Sequence, residues 1–342
     1  MKRIVPLSLL LALCIGCSST KTVLENTTSK VSDPTKYMNT ITADELKTHL
    51  YIVASDEMEG RETGSAGQKK AGVYLINQYK KNNIPFPKGA TSFYQHIPAS
   101  YLNAKRNKNL QDSENIWAFI EGSEKPNEIV VVSAHYDHVG VNNGEIFNGA
   151  DDDGSGTVAL LEIAEAFEIA KKEGHGPKRS ILFLHVTGEE HGLHGSRYYS
   201  ENPLFPLANT ITDINIDMIG RRDEANANSN NYVYVIGADR LSSDLDNICT
   251  EVNKKYTNLK LDYKYNDPKD PNRFYERSDH YNFAKHGIPS VFLFNGVHAD
   301  YHKESDTPDK IEYDALTKRT QFAFVTAWEL ANRENRPVVD KK

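Results

Sequence analysis

Cysteine is almost missing from this chain: Cys14, Cys17 and Cys249 are the only three in 342 residues. A fold stapled by several disulfides is excluded, so stability has to come from a buried core and from any ions it holds. Long apolar runs are lacking as well. Residues 4–15 form an apolar stretch too short for a stable membrane span, and it follows Lys2-Arg3, as the apolar region of a secretory signal does. Positive charge is not concentrated anywhere. The 40 Lys and Arg against 47 Asp and Glu leave a formal charge of −7, which argues against a nucleic-acid partner. Tandem repeats and low-complexity tracts are missing too.

What the chain does have is core material. It is 39% hydrophobic and 10% aromatic, enough for one large α/β domain. Helical periodicity runs through residues 43–54, 67–81, 157–172, 241–256 and 313–332, interleaved with strand-like runs. That alternation predicts an α/β fold, a three-layer α/β/α sandwich around a central mixed, mostly parallel sheet.

The strand-like runs end in a particular way. Residues 129–138 (IVVVSAHYDH) break into His135 and Asp137, residues 181–190 (ILFLHVTGEE) into Glu189-Glu190, and residues 211–220 (ITDINIDMIG) deliver Asp217. In open α/β sheets ligands collect beyond the carboxyl ends of the strands, so these groups, with Asp152 and His302, are expected to converge. Imidazole nitrogen and carboxylate oxygen suit zinc, and a hydrolytic zinc pair needs one carboxylate between the metals plus further donors on each. Of the neighbours Glu189 and Glu190, one can hold metal while the other acts as general base. Asp137, two residues from His135, is placed to hold that imidazole's second nitrogen. His138, His191, His194, His280, His286 and His298 read as lining or packing residues. Asp151 and Asp153 read as acids that shape their loop and cap the next helix. The polar stretches 223–231 and 265–273 are expected to rim the site.

Several motifs in order carry a resemblance. Residues 45–75, NIWAFIEG (115–122), VVVSAHYDHVG, NGADDDGSG (148–156), TGEEHGLHGS, INIDMIG, RSDHYNFAKHGIPSVFLF and DYHKESDTPDKI together resemble the co-catalytic zinc aminopeptidase family. Its relatives include secreted bacterial aminopeptidases, glutamate carboxypeptidase II and glutaminyl cyclase. The resemblance implies a metallo-aminopeptidase that hydrolyses peptide substrates with two Zn2+ ions. Asp152 would bridge the metals, His135 and Asp217 would complete one, and Glu190 and His302 the other. Glu189 would be the general base, Asp137 the orienting acid, and Tyr275 a hydrogen-bond donor to the developing oxyanion. A glutaminyl cyclase-type acyl transferase and a non-catalytic binding relative are the alternatives. Residues 86–112 are too few for the extra domain that some relatives insert there.

The amino terminus adds an address. Cys14-Ile15-Gly16-Cys17 resembles a lipoprotein box, which divides the chain into a signal peptide at 1–16, a lipid-anchored tether at 17–40 and a catalytic domain at 41–342. An exported bacterial lipoprotein is expected, attached to the membrane through Cys17. Serine at the next two positions points to the outer membrane, with the enzyme facing the periplasm or the cell surface.

Overall fold

A computed structural model describes Met1 and residues 32–105 and 108–341. The signal sequence, the lipoprotein box and Cys17 lie outside the described residues. Ten strands occur among the described residues: β1 Tyr94–Ile97, β2 Ser113–Ile120, β3 Lys125–His135, β4 Gly140–Asn142, β5 Glu145–Phe147, β6 Arg179–Val186, β7 Thr210–Ile216, β8 Tyr232–Ile236, β9 Lys260–Asp262 and β10 Ser290–Phe294. Eight of them form one sheet in the order β1-β2-β6-β3-β7-β10-β8-β9, and β4 and β5 make a separate hairpin.

The four central strands, β6, β3, β7 and β10, run parallel; the pairs β1–β2, β2–β6 and β10–β8 are antiparallel, and β8–β9 is parallel. The mixed sheet with a parallel centre agrees with the sequence expectation. Strands buried on both faces need apolar side chains in both alternating sets. In β3, Val130 and Val132 pack with one face and Ile129 and Val131 with the other, and in β6 Ile181 and Phe183 oppose Leu182 and Leu184.

The first face is covered by the long helices Ala43–Val53, Ala66–Lys81, Gly156–Lys172 and Tyr313–Asn332, whose Leu46, Leu75, Phe167, Phe324 and Trp328 fill the larger core. The second face is thinner. Tyr199 and Phe283, from the short helices His194–Glu201 and His280–Ala284, lie over Trp117, Leu182 and Leu184. Caps mark the helix starts: the Thr42 and Ser65 side chains accept from Glu45 and Gln68 N–H. The helix expected over 241–256 is interrupted. Ala238–Leu241 and Ser243–Val252 flank Ser242, whose extended backbone and side-chain cap at Leu245 N–H start a new helix.

Because the central strands are parallel neighbours, four carboxyl ends open on one edge. His135 closes β3, Glu189-Glu190 follow β6, Asp217 follows β7, and the segment after β10 leads to His302.

Candidate metal centre

At that edge the five expected donors meet on Asp152. His135 Nε2 is 3.2 Å from Asp152 Oδ1 and 3.6 Å from Asp217 Oδ1. On the other oxygen, His302 Nε2 is 3.0 Å from Asp152 Oδ2 and 3.0 Å from Glu190 Oε2. One carboxylate thus faces two separate donor groups.

The tautomer of His135 follows from its partner. Nδ1 lies 3.0 Å from the main-chain carbonyl of Asp137, which can only accept, so Nδ1 carries the proton and donates it. In the neutral ring Nε2 then points a lone pair at two carboxylates. That buried nitrogen has no hydrogen-bond partner among the described residues, and neither does Asp152 Oδ2. Lone pairs facing carboxylates are repulsive unless a cation sits among them. The donor set, imidazole nitrogen plus carboxylate oxygen, is one that zinc accepts. At His302 the same carboxylates show their pull on positive charge: burial would lower its pKa, yet Asp152 and Glu190 outweigh burial and raise it to about 10.

Two residues read as packing groups also approach. His135, Asp153 and Asp217 offer donor atoms within 4.8 Å of one another, as do His138, Asp152 and Glu190. Asp153 is already committed, since its Oδ1 accepts from Gly156 N–H at 2.8 Å and Met218 N–H at 3.1 Å. It therefore caps the helix Gly156–Lys172 and also holds Met218, whose φ of +57° turns the chain sharply after Asp217. His138 is fully buried with Nδ1 2.9 Å from Glu190 Oε1. Its ring rests on Gly149, where a Cβ would come within 2.4 Å of the imidazole and 2.3 Å of the Asp152 carbonyl, at a φ of +55°. Only glycine fits there.

Asp137 acts differently from the expectation. Its carboxylate is 3.8 Å from His135 Nδ1, too long for a hydrogen bond, so its carbonyl orients the ring. The carboxylate instead accepts from Glu189 N–H at 3.2 Å and from the Thr63 hydroxyl at 2.8 Å. It ties the Glu189 loop to the β3 end. Glu189 itself sits well above the ordinary carboxylate range, because of burial first and then the Glu190, Asp217 and Asp279 carboxylates, with His135 opposing them.

Tyr275 is not brought to the cluster. A cavity beside the donors is lined by Asp152, Glu189, Asp217, Met218, Phe274, Phe292 and Tyr301 among others. Tyr275 lines a different cavity with Arg240 and residues 267–271. The Arg240 guanidinium lies 4.6 Å from the Tyr275 ring centre, and His280 meets the ring edge-on from 5.3 Å. Clamped in this way, the ring packs against its own loop, and the phenol that borders the donors is that of Tyr301. The segment 265–273 likewise borders the Tyr275 cavity, and it is the following Phe274 and Arg277 that line the cavity of the donors.

Several positioning residues carry no signal in the sequence. Arg61 is buried and spends its guanidinium on the carbonyls of Tyr136, Val53, Asn148 and Gly149, at 2.7–2.9 Å. It joins the His135 and Asp152 loops. Arg319 does the same for the chain after Asp217, donating to Ile219, Arg221, Asn230 and Tyr232 carbonyls. Asp306 accepts from the N–H groups of Asp151 and Asp152. His298 Nε2 approaches Asp151 Oδ2 at 3.2 Å. Ser278 donates to Asp217 Oδ2 at 2.6 Å, leaving Oδ1 for the cluster.

The comparisons with known proteins agree with this geometry. Residues 115–327 match Peptidase family M28. A probable leucine aminopeptidase of Arthroderma benhamiae is 30% identical over 224 residues, 64% of this chain and 57% of its own. A probable zinc metalloprotease of Pyrenophora teres is 28% identical over 268 residues, 65% of this chain and 52% of its own. The chain thus spans about half the length of these curated relatives. Among solved structures, the Legionella pneumophila LapA aminopeptidase superposes with a TM-score of 0.67 at 20% identity, covering 90% of this chain and 77% of its own. The Bacillus subtilis zinc aminopeptidase BSAP gives 0.64 at 18%, covering 88% and 98%. A Bacteroides thetaiotaomicron glutaminyl cyclase gives 0.65 at 18%, covering 84% and 98%. At such identities the likeness establishes the fold. The matched segment contains all five donors and most of the sheet that carries them, and the chain belongs to peptidase family M28.

Proposed function

We propose that this protein is a two-zinc aminopeptidase that removes amino-terminal residues from peptides. The observation that carries the reading is the division of Asp152, with Oδ1 toward His135 and Oδ2 toward His302 and Glu190. His135 and Asp217 would hold one ion, Glu190 and His302 the other, and Asp152 both. Bound zinc supplies Lewis-acid polarisation of the scissile carbonyl and acidifies water at the site.

The protein's own groups do the rest. Glu189 takes a proton from water as the water oxygen bonds to the carbonyl carbon, then returns it to the nitrogen when the C–N bond breaks. Met218, Phe274, Phe292, Phe294 and Tyr301 wall the cavity beside the donors for an apolar amino-terminal side chain, with Arg277 also on its lining. Aminoacyl p-nitroanilides should be cleaved and their N-acetylated forms should not. Conversion of amino-terminal glutamine to its cyclic product, without peptide cleavage, would place the protein with the cyclases instead.

The oxyanion contact is assigned to Tyr301, whose phenol is pushed up by burial and then by the Asp152, Glu190, Glu189 and Asp217 carboxylates. It is a proton donor throughout the working pH range. Tyr301→Phe should lower kcat by about 10²-fold with little change in KM, whereas Tyr275→Phe should turn over like wild type. The reverse pattern would restore the role to Tyr275.

Export and lipid attachment at Cys17, on the outer membrane facing the periplasm or cell surface, complete the proposal. Labelled fatty acid should enter the wild type and not Cys17→Ser. Equal labelling of the two, or labelling of neither, would remove the anchor.

A further inference from the structure

Glu189 and Glu190 are adjacent, yet they face different cavities. Glu189 lines the aromatic-walled one described above. Glu190 forms part of the wall of a second cavity of about 510 Å³, whose other lining includes Lys105, Lys108, His191, His194 and Arg197. The proposed reacting centre therefore borders both cavities, the first walled by apolar and aromatic side chains with Arg277 among them and the second lined by cations.

The cations of the second cavity are available. No carboxylate lies within 4.0 Å of the Lys105 or Lys108 ammonium among the described residues. Arg197 is held rigidly: Nε donates to the Tyr101 hydroxyl at 3.0 Å, Nη2 donates to His194 Nδ1 at 2.6 Å, and the guanidinium lies 5.2 Å from the Tyr101 ring centre. Among the described residues its Nη1 has no hydrogen-bond partner. Acids around it are engaged elsewhere: Glu190 faces His138 and His302, Glu201 accepts from the Tyr101 hydroxyl, and Glu62 pairs with His191. The crowding of positive charge is felt by its neighbours. Burial, then Arg197, His191 and Lys105, lower the His194 pKa to about 4, and burial, then Arg197 and Lys105, lower that of Lys285.

We infer that this cationic cavity binds a carboxylate on the leaving-group side of the substrate. The inference rests on the aminopeptidase reading and gives it a direction. A free ammonium is repelled by the second cavity, and the first offers apolar and aromatic walls, so the amino-terminal residue occupies the first and the released portion the second. A rigid guanidinium with a free edge and two mobile ammonium groups matches a planar carboxylate. That group is either the α-carboxylate of a dipeptide or an acidic side chain just beyond the scissile bond.

Three substrates cleaved by the metal-loaded enzyme separate these sources: Leu-Ala-amide, which is neutral there, Leu-Ala with its free carboxylate, and Leu-Glu-amide with a side-chain carboxylate. At low salt, kcat/KM for at least one carboxylate substrate should exceed that of the neutral amide by about 10-fold or more, and the advantage should shrink as salt rises. Whichever carboxylate substrate is favoured names the source. Arg197→Gln should bring the ratio close to one. Lys105→Gln, at an exposed position free of the Tyr101 and His194 contacts, should reduce it by about 2-fold to 5-fold. A wild-type ratio near or below one, or a ratio unchanged in both variants, would overturn the inference. Failure to cleave any of the three at the leucyl bond would instead overturn the aminopeptidase reading.

Discussion

Glu189→Gln is expected to slow turnover of an aminoacyl substrate by about 10²–10⁴-fold while both metals stay bound. The amide keeps the shape of the side chain and loses only the ability to take a proton. Glu189 makes no ion pair with His135 or His302, whereas Glu190 lies 3.0 Å from His302 Nε2 and 2.9 Å from His138 Nδ1. Glu190→Gln should accordingly lose metal as well as activity. Parallel kinetics and metal analysis of the two variants check this. If the metal loss followed Glu189→Gln instead, the two roles would have to be exchanged.

The largest effect on stability is expected at Arg61, whose hydrogen bonds among the described residues all end on main-chain carbonyls and none on a proposed metal-donor side chain. Its side chain is wholly buried, and its four donated hydrogen bonds end on main-chain carbonyls of three segments. Arg61→Leu fills similar volume but leaves those carbonyls without donors. It also removes a buried cation that acts on the Asp153, Asp137, Asp152 and Asp306 carboxylates, which counter the lowering of the Arg61 pKa by burial. Breaking a buried charged contact of this kind costs about 3–5 kcal/mol. The denaturant midpoint of the metal-loaded enzyme should fall accordingly, and zinc affinity should fall with it, because Arg61 joins the loops of His135 and Asp152. Arg61→Lys should rescue little, since one ammonium cannot fork across several carbonyls. A loss below about 1 kcal/mol would mean that water replaces the guanidinium.

The strand ends were legible because two physical signals coincide there. An apolar run that stops at His135, Glu189 or Asp217 both predicts a buried parallel strand and says which residue stands at its carboxyl end. The convergence on Asp152 was legible only through the order of the motifs. Arg61 and Arg319 were invisible for a different reason. Their partners are carbonyl groups, which every residue has, contributed by segments up to 100 positions away. Asp137 shows how far residue type alone can carry. An acid two residues from a histidine suggests a carboxylate contact, but the turn after β3 places the carbonyl closer and sends the carboxylate to Glu189 N–H. Tyr275 was expected at the site from the family resemblance, and in the structure its ring packs against Arg240 and His280 and lines a different cavity. Lys105 and Lys108 belong to one stretch of the chain and Arg197 to another, and only the fold gathers them around one cavity.

Zinc returned stepwise to metal-free protein, with bound metal and leucyl-substrate cleavage followed in the same samples, tests the two-metal centre most directly. The expected result is two zinc ions per chain in the active wild type, with Asp152→Asn weakening both, because each oxygen of that carboxylate faces its own donor group. A fully active wild-type protein holding a single zinc would contradict it.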